Sequence, residues 1–473
     1  MRQESRGCGL TGDLILDPGW NMAASNYTVL IISYHFHPSN EIGARRPTAL
    51  ARFLAAKGIR VAVISAFGGQ AIEPGSMIMP GVIAIPVRRP SRRLLDSMVG
   101  LKRAIFRSSV NPERSHNPAA PPPAGARSTR SLGSRLHELY FQIAYFIDDY
   151  KVWGLLALKA AMRESKTYPP ALVLSSSPPL SVSWVGALAA RRLGAPHIAD
   201  LRDPWSDVIA HFYPHRRIEL KLTRAIERWI MRRAGAVTST SSTVASRLVR
   251  RQPELASKTF IIRNGYDGTI NHGACDTDGR LTILFAGELY LNRDPFPLLH
   301  ALERLFSRPE VRVDRVSATF MGRRTEQFGS TIDCWLEGKR CTAAVKVLDT
   351  QPASVVAEAT RTATVLLNLA QGQPLSVPAK TFEHLASGKE NLLLCENDSE
   401  SAQLVASIPG VIQVDPRDAD ALDRAVLDLY ERHVNQGRLR APREQDIFAF
   451  SRAAANDRFW QTMIALAPDL QKS

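Results

Sequence analysis

Lys380 and Glu383 have the residue types and the spacing to bind an anion and a pair of hydroxyl groups. They lie three residues apart in the segment QGQPLSVPAKTFEHLASG, so a helix that begins near Pro378 would place them on one face. A lysine near a helix N-terminus suits a phosphate group, and a carboxylate accepts hydrogen bonds from the two neighbouring hydroxyls of a ribose. The alternative is an ordinary surface ion pair, which contributes little.

A second group of candidates lies in GELYLNRD, residues 287–294, directly after an apolar stretch. Arg293 is placed to neutralise a diphosphate, because a guanidinium group binds phosphate oxygens through two nitrogens at once. Gly287 and Glu288 are further candidates for the same binding site. The alternative for Arg293 is a solvated loop charge.

The amino-terminal half has charged candidates in ADLRDPWSD, residues 199–207. Asp200 or Asp203 could bind an acceptor hydroxyl or act as a catalytic base. Arg202 could pair with a phosphate or with either aspartate. The alternative is a local salt bridge that closes the loop.

Two uncharged candidates follow other predicted strands. Gly43, in SYHFHPSNEIGARR, would let the backbone approach a phosphate or a sugar near a helix N-terminus. This loop has no G-x-G-x-x-G, so it is not the dinucleotide fingerprint. Ser176 and Ser177, in SSSPP, could contact an acceptor sugar. The alternatives are an ordinary turn and a helix cap.

The elements that must position these residues alternate between strand and helix. In the amino-terminal half, the apolar pattern predicts strands over 28–33, 60–64, 171–174, 197–200, 236–239 and 259–262, and helices over 47–57, 181–192, 218–233 and 243–250. In the other half, it predicts strands over 281–286, 316–321, 363–367, 391–394 and 411–414, and helices over 295–306, 378–387, 401–406, 418–431 and near 448–466. This rhythm predicts an α/β fold class: two Rossmann-like, doubly wound domains that face a central cleft.

The domain boundaries follow from composition. We predict an irregular N-terminal extension over 1–26, a first Rossmann-like domain over 27–266 with a basic, Pro-rich insertion at 88–135, a linker over 267–280, a second Rossmann-like domain over 281–447, and a C-terminal helix over 448–473 that can pack back on the first domain.

The positive charge of the chain is unevenly distributed. Eleven of the basic residues and only two acidic residues lie in 88–135, which gives this segment +9 of the net +15. Such a patch suits an anionic partner such as a lipid surface; the alternative is a poorly ordered insertion that merely carries charge. No nucleic-acid partner is expected, because the segment lacks interleaved aromatic residues.

Five scattered cysteines without C-x-x-C spacing argue against a disulfide framework or a zinc site and fit a reducing compartment. The longest apolar run is far shorter than the roughly 20 residues that span a bilayer. We therefore expect a cytoplasmic protein, with peripheral attachment to the inner face of the cytoplasmic membrane as a further option.

The order of these segments resembles the glycosyltransferase 4-like superfamily of two-domain, GT-B-type sugar transferases. The resemblance covers roughly 28–85 and 140–465 and includes LIISYHFHPSNEIGARRPTAL, SSSPPLSVSWVGALAARRLGAPHIADLRDPW, FAGELYLNRDPFPLLHALERL and VPAKTFEHLASGKENLLL. It implies transfer of a sugar from a nucleotide-diphosphate sugar to a lipid-linked or saccharide acceptor, with retention of configuration. It also implies synthesis of a surface polysaccharide, a lipopolysaccharide or a related glycoconjugate.

Positions carried over from the resemblance assign roles to four residues. Gly43 would face the donor phosphates, Arg293 and Lys380 would neutralise the diphosphate, and Glu383 would hold the ribose. Because these cations replace Mg²⁺, the resemblance implies no metal and no cofactor beyond the donor.

The chain departs from the family pattern at three places. Leu375 stands where many relatives have a glutamate, the loop over 200–205 lacks a histidine, and Glu390 stands where relatives often have proline. The first two departures leave open a non-catalytic scaffold on the same architecture. A nucleotide-sugar epimerase is a second alternative.

Overall fold

The computed structural model describes residues 27–89, 147–268, 279–289, 292–323 and 332–472. The predicted extension over 1–26 and most of the basic insertion lie outside these residues.

The amino-terminal part of the chain forms a sheet of eight strands in the order β3-β4-β2-β1-β5-β6-β7-β8. Its strands are β1 (Thr28–Ser33), β2 (Arg60–Ser65), β3 (Met77–Met79), β4 (Val82–Pro86), β5 (Pro170–Ser177), β6 (His197–Leu201), β7 (Ala236–Ser239) and β8 (Thr259–Ile261). All neighbours are parallel except β3 and β4. The central strands are apolar and buried, as expected for a parallel sheet covered by helices on both faces.

Helices connect these strands. They are α1 (Ile42–Ala56), α2 (Lys151–Glu164), α3 (Leu180–Leu193), α4 (Trp205–Phe212), α5 (Arg217–Arg233) and α6 (Ser242–Arg251). The apolar positions of α2 and α3 pack on one side of β1, β2 and β5, while α1 packs on the other side.

The carboxyl-terminal part forms a second, fully parallel sheet in the order β11-β10-β9-β12-β13-β14. Its strands are β9 (Leu281–Ala286), β10 (Val316–Met321), β11 (Val345–Leu348), β12 (Val365–Leu369), β13 (Glu390–Leu394) and β14 (Val411–Val414). This is the order of a doubly wound nucleotide-binding domain. The order reverses between β9 and β12, and between β1 and β5 in the first sheet. Ligands of such folds bind in the crevice at the carboxyl ends of these strands.

The helices of the second part are α7 (Phe296–Leu305), α8 (Ala353–Thr362), α9 (Ala379–Leu385), α10 (Glu400–Val405), α11 (Ala419–Tyr430), α12 (Glu444–Ile447) and α13 (Arg452–Leu466). The last helix returns to the first part, where Phe459 and Met463 are buried in one apolar cluster with Leu50 and Leu54 of α1. None of the described helices is both long and apolar enough to cross a lipid bilayer.

The fold class is the predicted one, but some elements differ from the prediction. Helix α1 begins at Ile42 rather than at Pro47, and β5 continues to Ser177 rather than ending near residue 174. The pattern also missed the helices α2, α4, α8 and α12 and the strands β3, β4 and β11, most of which are short or have few buried apolar positions. The two shifted boundaries matter, because both carry candidate site residues into regular structure.

Candidate active site

Lys380 lies in the first turn of α9, at the carboxyl ends of β9 and β12. Pro378, in an extended conformation, precedes the helix as its N-cap. The lysine side chain crosses the end of β9: a Cβ on Gly287 would lie 2.5 Å from Lys380 Nζ. The ammonium also lies 5.8 Å from the centre of the Phe285 ring. Gly287 and Lys380, which were separate donor-binding candidates in the sequence, are therefore direct neighbours in the structure.

The surroundings of Lys380 favour an anionic ligand. Desolvation lowers the pKa of the ammonium, the Arg293 charge lowers it further, and Glu383 and Glu288 oppose both effects. Lys380 Nζ donates no hydrogen bond to any residue that the structure describes. A half-buried ammonium beside a second cation is costly unless an anion joins it.

Arg293 lies on the loop between β9 and α7, and its Nη1 donates to the Glu288 carbonyl at 3.3 Å. Asp294 holds this loop in place. Its carboxylate accepts from the Phe296 amide at 2.9 Å, and its carbonyl accepts from Gln371 Nε2 at 2.8 Å. The loop that bears Arg293 is thereby tied to the loop that leads to Lys380.

Glu383 projects from α9 towards the other domain. Its Oε1 accepts from Arg45 Nη1 of α1 at 2.5 Å, and both side chains are about half exposed. The carboxylate with the predicted ribose role thus faces the cleft and contacts the amino-terminal domain. The sequence analysis missed Arg45, because α1 was predicted to begin only at Pro47.

Gly43 lies one residue into α1, at the amino-terminal side of the cleft. Its carbonyl would normally accept from the amide of Pro47, which has no N–H. Arg202 Nη1 donates to that carbonyl instead, at 2.7 Å. A Cβ on Gly43 would come within 3.3 Å of the Arg202 guanidinium and the His35 ring.

Arg202 is buried, and its guanidinium donates to three backbone carbonyls. Besides Gly43, it donates from Nε to the Ser177 carbonyl at 3.0 Å and from Nη2 to the Pro178 carbonyl at 3.0 Å. Desolvation lowers the pKa of this guanidinium. In this arrangement Arg202 joins α1 to the end of β5 and forms no ion pair with Asp200 or Asp203. A contact of Arg202 with a phosphate stays a prediction.

Asp200 is also buried, and its partner is an arginine that the sequence analysis did not consider. Arg46 Nε and Nη2 donate to the two Asp200 oxygens at 3.1 and 2.9 Å. Ser176 and Thr238 each add a hydrogen bond at 2.7 Å. Burial alone would raise the pKa of the carboxyl, but the Arg46 charge and these hydrogen bonds outweigh it and lower the pKa. Asp200 is therefore part of a buried ion pair and is not accessible to solvent.

Ser176 and Ser177 are buried because β5 extends through them. The Ser176 hydroxyl donates to Asp200 Oδ2, and the Ser177 hydroxyl donates to the Asp200 carbonyl at 3.3 Å. Neither hydroxyl reaches solvent, so the structure places both in the interior of the domain rather than on the acceptor side of the cleft.

The amino-terminal half of the chain matches a known family. Residues 43–265 fit the model of the glycosyl transferase 4-like domain. These residues are a glycosyl transferase 4-like domain. The resemblance seen in the sequence is thus confirmed, and the chain is a glycosyltransferase of the GT-B type. The sequence matches none of the curated proteins with which it was compared.

Solved structures share the fold of this glycosyltransferase over nearly its whole length. The α,α-trehalose 6-phosphate synthase of Burkholderia multivorans is 14% identical, with a TM-score of 0.56, over 94% of this chain and 98% of that one. HepE of Anabaena, solved with UDP, is 14% identical with a TM-score of 0.53, over 93% and 100%. The lipopolysaccharide outer core galactosyltransferase WaaB is 11% identical with a TM-score of 0.54, over 93% and 99%.

Asp203 and His35 remain on the amino-terminal side of the glycosyltransferase cleft. Asp203 is exposed, and desolvation by the surrounding protein raises the pKa of its carboxyl while Arg202 opposes that rise. His35 is half-buried beside Gly43, and desolvation lowers the pKa of its imidazole. The catalytic role of Asp203 stays a prediction. His35 was missed, although it follows β1 within the same quoted loop as Gly43.

A buried carboxylate joins the two domains of the glycosyltransferase next to the cleft. Glu400, the first residue of α10, accepts from the amides and hydroxyls of Ser242 and Thr243 at 2.6–2.9 Å. Arg263 Nη1 donates to the same carboxylate at 2.6 Å. Burial would raise the pKa of Glu400, but the bonds from Thr243, Arg263 and Ser242 lower it to about 2. Glu400 therefore caps α6 of the other domain as an ionised group.

Leu375 is buried, so the position where relatives carry a glutamate faces the interior of this enzyme. Glu390 is buried as well, where it bonds to Arg432 and His433 at the start of β13. Among the described residues, no three His, Cys, Asp or Glu side chains are grouped as metal ligands. The metal-independent site stays a prediction.

Proposed function

We propose that this glycosyltransferase takes its sugar from a nucleotide-diphosphate sugar bound at the carboxyl ends of β9 and β12. The observation that carries the proposal is the Lys380 ammonium, half-buried over Gly287 and beside Arg293, with no hydrogen bond to a described residue. Glu383 lies three residues further along α9, on the same face of the helix, and would bind the ribose of that donor.

The chemistry of this site would be stabilisation of the leaving group. Transfer breaks the bond between the anomeric carbon of the sugar and a phosphate oxygen, so negative charge develops on the departing nucleoside diphosphate. Lys380 and Arg293 are fixed cations that would meet this charge without reorganisation, which is usually a large catalytic term. Glu288 and Glu383 would bind donor hydroxyls rather than phosphate. Gly43 would allow α1 to approach the donor from the other side.

The acceptor would bind on the amino-terminal side of the cleft, near Asp203. Its exposed carboxylate is the better candidate for contact with an acceptor hydroxyl, because Asp200 is enclosed by Arg46 and two hydroxyl groups. Retention of configuration is proposed from the match to the glycosyl transferase 4-like domain.

The biological role that we propose is a class of biosynthesis rather than one particular product. We place the enzyme at the cytoplasmic face of a membrane, in the synthesis of a surface polysaccharide, a lipopolysaccharide or another glycoconjugate, with a lipid-linked or saccharide acceptor. The fold of a lipopolysaccharide galactosyltransferase supports this role. A peripheral contact with anionic lipid through 88–135 was expected from charge, but most of that segment lies outside the described residues.

Thermal stability measured against UDP, GDP, ADP, CMP and dTDP tests the proposal, with UDP first because HepE was solved with it. We expect one nucleotide to raise the melting temperature of the wild-type chain. Lys380→Ala and Glu383→Ala should both lose that shift. Lys346→Ala, an exposed lysine on β11, is the matched control and should keep it.

Each other outcome has a distinct meaning. No shift with any nucleotide at saturating concentration would contradict a donor site and favour the non-catalytic scaffold. A shift that survives in both site variants would place the nucleotide elsewhere. Conversion of the matching nucleotide sugar without any acceptor would identify an epimerase.

A further inference from the structure

The positive charge of the chain is concentrated in two segments, and one of them lies within the described residues. Segment 211–258 contains eleven lysines and arginines and three glutamates, a net charge of +8. Together with the +9 of segment 88–135, this exceeds the +15 of the whole chain. The remainder of the protein is therefore slightly acidic, and the basic character is a local property.

Helix α5 arranges much of this charge on one side. Its basic residues recur at intervals of three or four positions, which on an α-helix makes a stripe roughly 80° wide and about 22 Å long. We call this the α5 basic stripe; its members are Arg217, Lys221, Arg224, Arg228 and Arg232. The other side of the helix is buried against β6, β7 and α3.

The acidic residues of the segment leave the stripe largely uncompensated. Glu227 is buried and bonds to Arg251, while Glu219 bonds to Arg216, which precedes the helix. Glu254 forms one exposed ion pair with the stripe, at Arg232. The stripe has four other members, which are Arg217, Lys221, Arg224 and Arg228. None of the four forms an ion pair with a residue that the structure describes.

The orientation of α5 relates the stripe to the cleft. The helix ends shortly before β7, whose amino end lies at the edge of the sheet away from the cleft. The first turn of α5, roughly 24 Å from the last turn along the helix axis, therefore lies on the side of the cleft. Ile218, in this first turn, is 43% exposed beside Arg217. An anionic surface that lies against the stripe would therefore have Ile218 at its edge, close to the acceptor side of the cleft.

We propose that the α5 basic stripe docks the enzyme on an anionic lipid surface. A row of cations along one side of a helix matches a plane of lipid phosphates, and the exposed isoleucine beside it can enter the headgroup region. A nucleic acid fits less well. The helix is half-buried and cannot enter a groove, and its Trp229 is covered by Arg233 at 4.5 Å rather than offered for base stacking.

Vesicle co-sedimentation of the full chain tests the proposal, using phosphatidylcholine with and without phosphatidylglycerol, at low and high salt. The wild type should bind only the vesicles with phosphatidylglycerol, and high salt should weaken binding. The triple variant Arg217→Gln, Lys221→Gln, Arg228→Gln should lose affinity roughly 100-fold, at about fivefold per charge.

The matched control removes the same charge from exposed positions of the other domain, through Arg312→Gln, Arg340→Gln and Lys346→Gln. It should bind within about twofold of the wild type, because docking depends on the stripe and not on net charge. Equal losses in both triple variants would overturn the proposal, as would a wild type that ignores phosphatidylglycerol. Binding of duplex DNA but not of vesicles would also overturn it. Both triple variants should keep the melting temperature of the wild type and its shift with nucleotide. A loss of vesicle binding then reflects neither unfolding nor damage to the donor site.

Discussion

Arg45 of α1 and Glu383 of α9 form an ion pair of 2.5 Å across the cleft, although 338 positions separate them in the chain. The pair engages the carboxylate that is proposed to hold the donor ribose. A donor that takes over this carboxylate must displace the Arg45 guanidinium. This contact between the two domains therefore competes with the proposed donor for the Glu383 carboxylate.

Removing the Arg45 side chain should consequently strengthen nucleotide binding. Exposed ion pairs contribute little, so we expect Arg45→Ala to raise affinity about 1.5- to 5-fold, measured by calorimetry with the nucleotide that stabilises the wild type. Arg52→Ala, an exposed arginine on the same helix, should leave affinity unchanged. A loss of affinity in Arg45→Ala would mean instead that Arg45 binds the donor directly.

A side chain at position 287 should weaken donor binding by displacing the Lys380 ammonium. A Cβ at this position would lie 2.5 Å from Nζ, and the flexible lysine would have to leave the end of β9. We expect Gly287→Ala to weaken nucleotide binding about tenfold, with little change in stability, as one charge-assisted hydrogen bond is lost. In Lys380→Ala the same glycine change should have no further effect on the dissociation constant, since the two positions act as a unit. Additive losses would contradict this coupling.

Substitutions of Asp200 and of Asp203 should have different effects on the free energy of unfolding. Asp200→Ala leaves the buried Arg46 without its carboxylate partner, which should lower the free energy of unfolding by about 3–5 kcal/mol in a denaturant titration. Asp203→Asn changes an exposed carboxylate and should alter stability by less than about 0.5 kcal/mol. If Asp203 contacts the acceptor, this variant should still lose turnover. Equal stability losses would argue against the buried ion pair.

Glu400 should make the enzyme sensitive to acid. Its pKa in the folded chain is about 2, against an ordinary value of 4.5, so its contribution to stability is full above pH 4.5 and is lost as pH falls towards 2. We expect Glu400→Gln to lower stability at neutral pH and to flatten the decline between these pH values. Urea titrations at several pH values measure both effects. Glu310→Gln, on an exposed carboxylate, should leave the profile unchanged.

The sequence by itself determined the fold class and half of the candidate site. Apolar runs separated by helical periodicity are sufficient to predict two parallel, doubly wound sheets, since such strands are buried on both faces. The sequence also predicts that Lys380 and Glu383 share one helix face, because a three-residue spacing depends only on the local geometry of α9. The sequence did not predict the start of α1 at Ile42, because Pro47 inside the helix has the features of a first helical residue.

The tertiary structure decided which charged groups face the cleft. Asp200 and Asp203 lie three residues apart in one polar loop, yet one is enclosed by Arg46, Ser176 and Thr238 while the other is exposed. That difference comes from strands and helices whose positions in the chain are distant. The same is true of Arg45 opposite Glu383, since only the packing of one domain against the other brings them together. Local patterns predict secondary structure, whereas burial and charge pairing depend on which distant elements become neighbours.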